Sequence, residues 1–295
     1  MKKQIKFIAT ATALLAFTQA GHAASINWTG GGTTDDWNDT ANWGGVTPGS
    51  QGVEDSVIFN TAGDNNTPTA SFAFTTASDF NFRNEATLTL QTGVTISNFD
   101  QGRLAANGGN GGGHVVQTGG TLSGRTFVVA SSLTATTRSS HTMSGGNVTL
   151  TELYEVNTLG DVILTGSTAA VSAGSIDFEG NSTLTFNFDA AGIGSFTTAG
   201  SFGAGTTSTM TINVGSYNAT VGAAFTLVDA ATLTGFDSGN ITVNGFGTEG
   251  VGYTLTQDLA GSGDIVFTVI PEPGTYALLA GLTGLAFVML RRRRS

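Results

Sequence analysis

The sequence predicts an all-β chain wound as a β-solenoid, a parallel β-helix, with a β-sandwich of repeated hairpins as the alternative. Three observations carry this. Short segments alternate polar and apolar residues at period two, which places one set of side chains on a buried face and the other toward solvent. Glycine is abundant, at 43 residues against only 4 prolines, and Thr, Ser and Asn fill the spaces between apolar positions, a composition of strands and tight turns. A Gly-Gly motif recurs in register: Val116 to Leu122 around Gly119-Gly120 is echoed by Thr142 to Val148 around Gly145-Gly146, with a looser copy from Leu164 to Val171. A coil that cannot bury its apolar face alone must stack on its neighbours, so a repeat of this length reads as one turn of a solenoid.

The chain opens with Lys2, Lys3 and Lys6, then the apolar run Phe7 to Phe17, then Gly21-His22-Ala23-Ala24. A basic start, a short apolar run and small residues at a cleavage site form a secretory signal peptide. Residues 1–23 are therefore set apart from the fold, with cleavage expected after Ala23 or, alternatively, after Ala24, and export across the inner membrane.

Residues 24–60 form a tryptophan-rich N-terminal cap. Trp28, Trp37 and Trp43 supply a large apolar lid for the first coil, whose edge and core would otherwise be open; sugar stacking by the same rings is the alternative. Asp36, Asn38, Thr40 and Asn42 present oxygens at alternating positions, but the run lacks the glycine and distal glutamate of an EF-hand loop, so turn and capping chemistry accounts for them and no metal is expected. The stretch from Ile26-Asn27-Trp28 through Trp37-Asn38, Asn42-Trp43 and Pro48 to Asp55–Phe59 resembles the opening of bacterial autotransporter-associated β-strand repeat proteins. That resemblance implies an extended surface β-solenoid.

Residues 61–221 carry the solenoid repeats and 222–270 a C-terminal β closure. Alternation marks strands at Thr87 to Leu90, Thr183 to Phe188, Met210 to Val214, Ile241 to Val243, Tyr253 to Leu255 and Asp264 to Val269. No amphipathic helix is expected after the signal peptide.

The charge distribution narrows the function. Between the two end segments only Arg83, Arg103, Arg125 and Arg138 are basic and there is no lysine; with Glu272 of the sorting motif counted in, the 21 acidic residues leave a balance of −17. Such a surface repels phosphate backbones, which excludes nucleic acid as a partner. With no cysteine, stability comes from the fold itself. His114 and His141 lie outside any recognisable triad and read as turn or coil-edge residues, and no nucleophile-elbow motif is present. Asp177 and Glu179, two apart in Ile176-Asp177-Phe178-Glu179, fall on one strand face about 7 Å apart. That separation suits paired carboxylates in glycosidic cleavage, but a solvated acidic face over a core of Ile176 and Phe178 is the simpler reading. Glu152 and Glu155 are read in the same way.

The chain ends in Pro271-Glu272-Pro273-Gly274, the apolar segment Tyr276 to Leu290, and Arg291, Arg292, Arg293 and Arg294 before a final serine. The apolar segment predicts a single membrane helix over 276–290, a little short for a perpendicular span but extended by snorkelling arginines that stay cytoplasmic. In order and spacing, residues 271–295 resemble the PEP-CTERM sorting signal. The resemblance implies a temporary inner-membrane anchor recognised near Pro271, Glu272 and Pro273 by exosortase, in a bacterium that makes extracellular polysaccharide. The expectation is an exported structural or adhesive protein of the cell surface or extracellular matrix, without enzymatic activity or cofactor, with exosortase and exopolysaccharide as partners. The alternative is an extracellular polysaccharide lyase or glycoside hydrolase on the same β-helix, using Asp177 and Glu179.

Overall fold

The computed structural model describes residues 25–46, 48, 56–59, 65–104, 111–131, 137–215, 217, 220–236, 238–258, 263–270 and 273–292. The signal-peptide segment with Ala23 lies outside the described residues, as do Pro271, Glu272, Arg293 and Arg294.

The body is mostly β. Strands β1 (Ser25–Asn27), β2 (Ser56–Phe59), β3 (Asn65–Asn66), β4 (Phe72–Phe82), β5 (Ala86–Leu90) and β6 (Thr95–Leu104) open it. The middle holds β7 (Gly113–Val129), β8 (Ser139–Val156), β9 (Gly160–Thr165), β10 (Ala169–Ala173), β11 (Ser175–Phe178) and β12 (Thr183–Asn187). It ends with β13 (Ser195–Ala204), β14 (Thr209–Asn213), β15 (Ala224–Thr234), β16 (Ile241–Asn244), β17 (Tyr253–Gln257) and β18 (Ile265–Val269), followed by the helix α1 (Pro273–Arg292).

These strands wind into a β-solenoid with three walls. The first wall stacks β1, β2, β4, β6, β7, β8, β11, β13 and β15 in parallel. The second stacks β3, β5, β7, β8, β9, β12, β14 and β16. The third stacks β4, β6, β7, β8, β10, β13 and β15, then turns antiparallel through β18 to β17. β7 and β8 bend round all three walls, which is why they reach 17 and 18 residues. Consecutive parallel strands, rather than hairpins, rule out the sandwich alternative.

Period two and stacking together produce the core. Leu88, Val115, His141, Val162, Leu184 and Met210 occupy one inward row of the second wall, one residue from each coil. Phe80, Gly102, Phe127 and Tyr154 occupy one inward row of the first wall. At Gly102 a Cβ would lie 2.5 Å from Phe80 Cζ and 2.6 Å from Phe127 Cδ2, so the missing side chain makes the space those two rings fill. The Gly-Gly corners stack as the repeat required. Gly120 and Gly146 both turn with φ positive, +69° and +87°, and a Cβ on Gly146 would sit 2.5 Å from the Gly119 carbonyl carbon. The looser third copy is offset: Ala169 takes the register of Gly146, while Gly166 forms a separate corner at φ +74°.

Both ends are closed by different means. At the N-terminal end Trp37 and Trp43 are buried and pack edge to face, and Trp37 stacks on Phe59, which stacks in turn on Phe82 at 4.1 Å. Trp43 Nε1 donates to the Trp37 carbonyl at 2.8 Å and Trp37 Nε1 donates to Asn66 Oδ1, so both indoles bury without an orphaned donor. At the C-terminal end β18 and β17 close the third wall.

The terminal helix corrects one expectation. Among the described residues no helix is long and apolar enough to cross a membrane. The apolar stretch from 276 to 290 rises only about 22 Å at 1.5 Å per residue, against a hydrocarbon core of about 30 Å. Gly281, Thr283 and Gly284 dilute it further, and Arg291 and Arg292 cap the last turn. The spanning helix over 276–290 is therefore not retained.

Candidate functional site

The first wall and its margins carry Arg103, Arg125 and their acidic partners. In-register stacking sets side chains from neighbouring coils side by side, about 4.8 Å apart, so an arginine can reach acids one coil away on either side. Arg125 of β7 does this in both directions, donating to Asp100 below it and to Glu152 at 2.7 Å above it; the partners are 25 and 27 residues away in sequence. These two acids hold the Arg125 guanidinium pKa above its ordinary value. Arg103 pairs with Asp79 at 3.2 Å. On the second wall, Arg138 pairs with Asp161, and Glu85 accepts from Gly112 N–H and Thr137 and contacts His114 Nε2 at 2.9 Å; the His114 contact leads in lowering the Glu85 pKa.

Asp177 of β11 stands beside Glu155 of β8 in register, with Ile176 and Phe178 buried to either side. Glu179 follows the end of β11 and is exposed. The structure thus places Asp177, Glu179 and Glu155 on one outer face. A cleft of about 670 Å³ opens there, lined by Arg103, Arg125, Glu152, Glu155 and Glu179 among others, with Asp177 outside the lining. Partial burial, with the carboxylates of Glu179 and Asp177 nearby, raises the Glu155 pKa. The role of the arginines was hidden in the linear sequence, because the signal is a separation of about one coil and shows only once the strands are wound.

The second and third walls present a different chemistry. On the second, Thr183, Thr185 and Asn187 lie outward beneath Thr209, Thr211 and Asn213, with Thr242 and Asn244 above. The asparagines form a ladder: Asn244 Nδ2 donates to Asn213 Oδ1 at 2.9 Å, Asn213 Nδ2 to Asn187 Oδ1 at 2.8 Å, and Asn187 Nδ2 to Thr165 Oγ1 at 3.2 Å. On the third wall, Thr95 and Ser97, Thr121 and Ser123, Asn147 and Thr149, Ala170 and Ser172, and Ser195 and Thr197 form five stacked outward pairs without a charge. A shallow cleft of about 450 Å³ runs along the glycine corner beside them, lined by Thr92, Thr95, Gly120, Asn147 and Thr168 among others.

One residue singled out from the sequence lies elsewhere than expected. His141 is not at a coil edge but fully buried, in the inward row between Val115 and Val162. Its Nδ1 lies 2.8 Å from the Tyr154 hydroxyl and its Nε2 3.4 Å from Gln117 Oε1. Gln117 Nε2 donates to the carbonyls of Gly120 and Asn147, which turns its oxygen toward the imidazole. That orientation puts the proton on Nε2, and Tyr154 donates to Nδ1. Desolvation lowers the His141 pKa from 6.5 to about 3. The oxygens of the tryptophan cap are spent on turns: Asp36 Oδ1 accepts from Asn38 N–H, Asp39 caps the short helix at Ala41, and Asn42 bonds Gly32, Thr34 and Asp36. Burial of Trp37 and Trp43 removes their faces from any sugar.

The terminal segment supplies the remaining feature. Its Pro273 begins α1, whose side chains from Leu278 onward are exposed, with Arg291 and Arg292 at its end. Residues 269–294 match the family model of the PEP-CTERM protein-sorting motif. The chain ends in a PEP-CTERM protein-sorting motif. The PEP-CTERM motif implies export, membrane-associated sorting and recognition by exosortase as the processing partner. No curated protein and no solved structure matches the chain. The solenoid that precedes the motif therefore rests on its own geometry, and no relative carries the resemblance of its opening to autotransporter-associated repeats.

Proposed function

We propose that this exosortase-sorted protein is a non-enzymatic structural or adhesive component of the cell surface or extracellular matrix, and that its second and third walls dock neutral exopolysaccharide. The supporting observation is the run of outward hydroxyl and amide groups on the second and third walls, which repeats at the coil spacing between a few charged positions, Glu85, Arg138 and Asp161 on the second wall and Asp229 on the third. Such an array offers many weak, geometrically repeated hydrogen bonds to a polymer of repeating hydroxyls. Retention of the purified protein on neutral and acidic polysaccharides tests this. Binding to a neutral polymer, reduced at least tenfold when Thr185→Glu and Thr211→Glu put charge on the second wall, is the expected result. Equal retention of wild type and variant would remove the reading.

A second reading is favoured by the cleft on the first wall. There Glu155, its pKa raised by burial and neighbouring acids, lines the same cleft as Arg103 and Arg125, which suit a carboxylated sugar. A polysaccharide lyase or hydrolase would release reducing ends from an acidic polymer and lose that activity in Glu155→Gln and Glu179→Gln. Absence of cleavage across neutral and acidic polymers leaves the structural role.

A further inference from the structure

The last strand of the second wall is open. β16 pairs with β14 on one side, and no described strand pairs with its other side. Its residues, Ile241-Thr242-Val243-Asn244, include neither a charge nor a proline, the usual devices that keep an edge from pairing with another chain. Outside α1, the exposed large hydrophobic side chains among the described residues are Val221 at 57% and Val251 at 43%, and both belong to the final coil. β17 also has an unpaired side, but Glu249 bridges to Tyr253 there and brings a carboxylate to that edge.

The backbone shows what β16 can receive. The Asn244 carbonyl accepts from Val214 N–H, so it faces inward to the preceding coil. By alternation along the strand, the N–H and C=O of Val243 face out. An antiparallel copy of β16 centred on Val243 sets Val243 opposite Val243, and Thr242 opposite Asn244, on both sides of a two-fold axis. The two Val243 residues then exchange both backbone hydrogen bonds, the apolar side chains meet over the core, and the polar ones meet on the outer wall. A one-residue slip would set Thr242 against Val243 and mix the faces. The two-fold register centred on Thr242 sorts the faces equally, setting Ile241 opposite Val243 and Thr242 opposite Thr242.

We infer that the C-terminal end of the solenoid is an isologous interface, and that its occupant is the same end of a second copy of this chain, joined through β16. The body's acidic charge opposes random contact between copies, whereas β16 itself carries no charge, so two copies can approach along it. The inference stands apart from any role in polysaccharide binding.

The test is the mass of the exported chain by light scattering, in non-ionic detergent micelles that cover the exposed helix, with amide exchange followed at Val243. The wild type is expected to be a dimer with a slowly exchanging Val243 amide. Val243→Pro removes the outward N–H while leaving the bonds to β14, a position at which an edge strand tolerates proline. Thr242→Lys sets a pair of like charges across the interface. Both variants are expected to be monomers, and Thr242→Lys, at an exposed position, is expected to keep the wild-type circular dichroism and decides the matter if Val243→Pro does not fold. A monomeric wild type, a fast-exchanging Val243 amide, or a dimer that survives Thr242→Lys would overturn the inference.

Discussion

Acid should unfold this protein earlier than its carboxylates alone require, because one coil buries an imidazole. In the folded state His141 titrates at about 3; in the unfolded chain it titrates near 6.5. A histidine whose folded pKa is depressed stabilises fully above the unfolded value, and that stability is lost as pH falls from 6.5 toward 3, since the unfolded chain binds the proton first. At 1.36 kcal/mol per pH unit the loss reaches about 2 kcal/mol at pH 5 and about 5 kcal/mol below pH 3. For a chain of this size, 2 kcal/mol lowers the thermal midpoint by about 4–8 °C between pH 7 and pH 5. The groups against the ring are Tyr154, Gln117 and Phe127, and none of these offers a carboxylate to hold the imidazolium. The assay is thermal unfolding by circular dichroism at pH 7, 6 and 5 for wild type and His141→Leu. The variant starts lower at pH 7, because the Tyr154 hydroxyl and the Gln117 oxygen lose their partner, but its midpoint changes less with pH, and the difference between the two slopes isolates this one group. Equal slopes would refute the argument.

Three further outcomes follow from the same geometry. Gly102→Val should destabilise by about 1–3 kcal/mol or more, since its side chain would occupy the space of the Phe80 and Phe127 rings; a midpoint within 1 °C, about the scatter of such a measurement, would mean the rings relax freely. Asn213→Asp removes the amide that donates to Asn187 and should cost about 1–2 kcal/mol in chemical denaturation, with part of that recovered at a pH that protonates the new carboxyl. Arg125→Ala should cost less than about 1 kcal/mol despite its two partners, because the side chain is 38% exposed, and the cost should shrink in high salt.

The sequence by itself determined the parts that depend on local periodicity and on short linear signals. Alternation located β5, β12, β14, β16, β17 and β18, because a half-buried strand must place apolar residues at period two wherever it lies. The repeated Gly-Gly corner revealed the coil, and the terminal motif, a contiguous string read by a processing enzyme, was legible without any fold. What only the tertiary structure decided is which residues become neighbours one coil away. His141 falls at the inward position of Ser139-Ser140-His141-Thr142-Met143, a parity visible in the sequence, but its meaning required Gln117 to arrive from the preceding coil and Tyr154 from the first wall. The Arg125 bridge, the asparagine ladder and the open side of β16 were hidden for the same reason: coil lengths vary, so partners stand 22 to 31 residues apart and no single period marks them. Stacking converts sequence distance into a contact of a few ångströms, and the register of that stacking is a property of the wound chain.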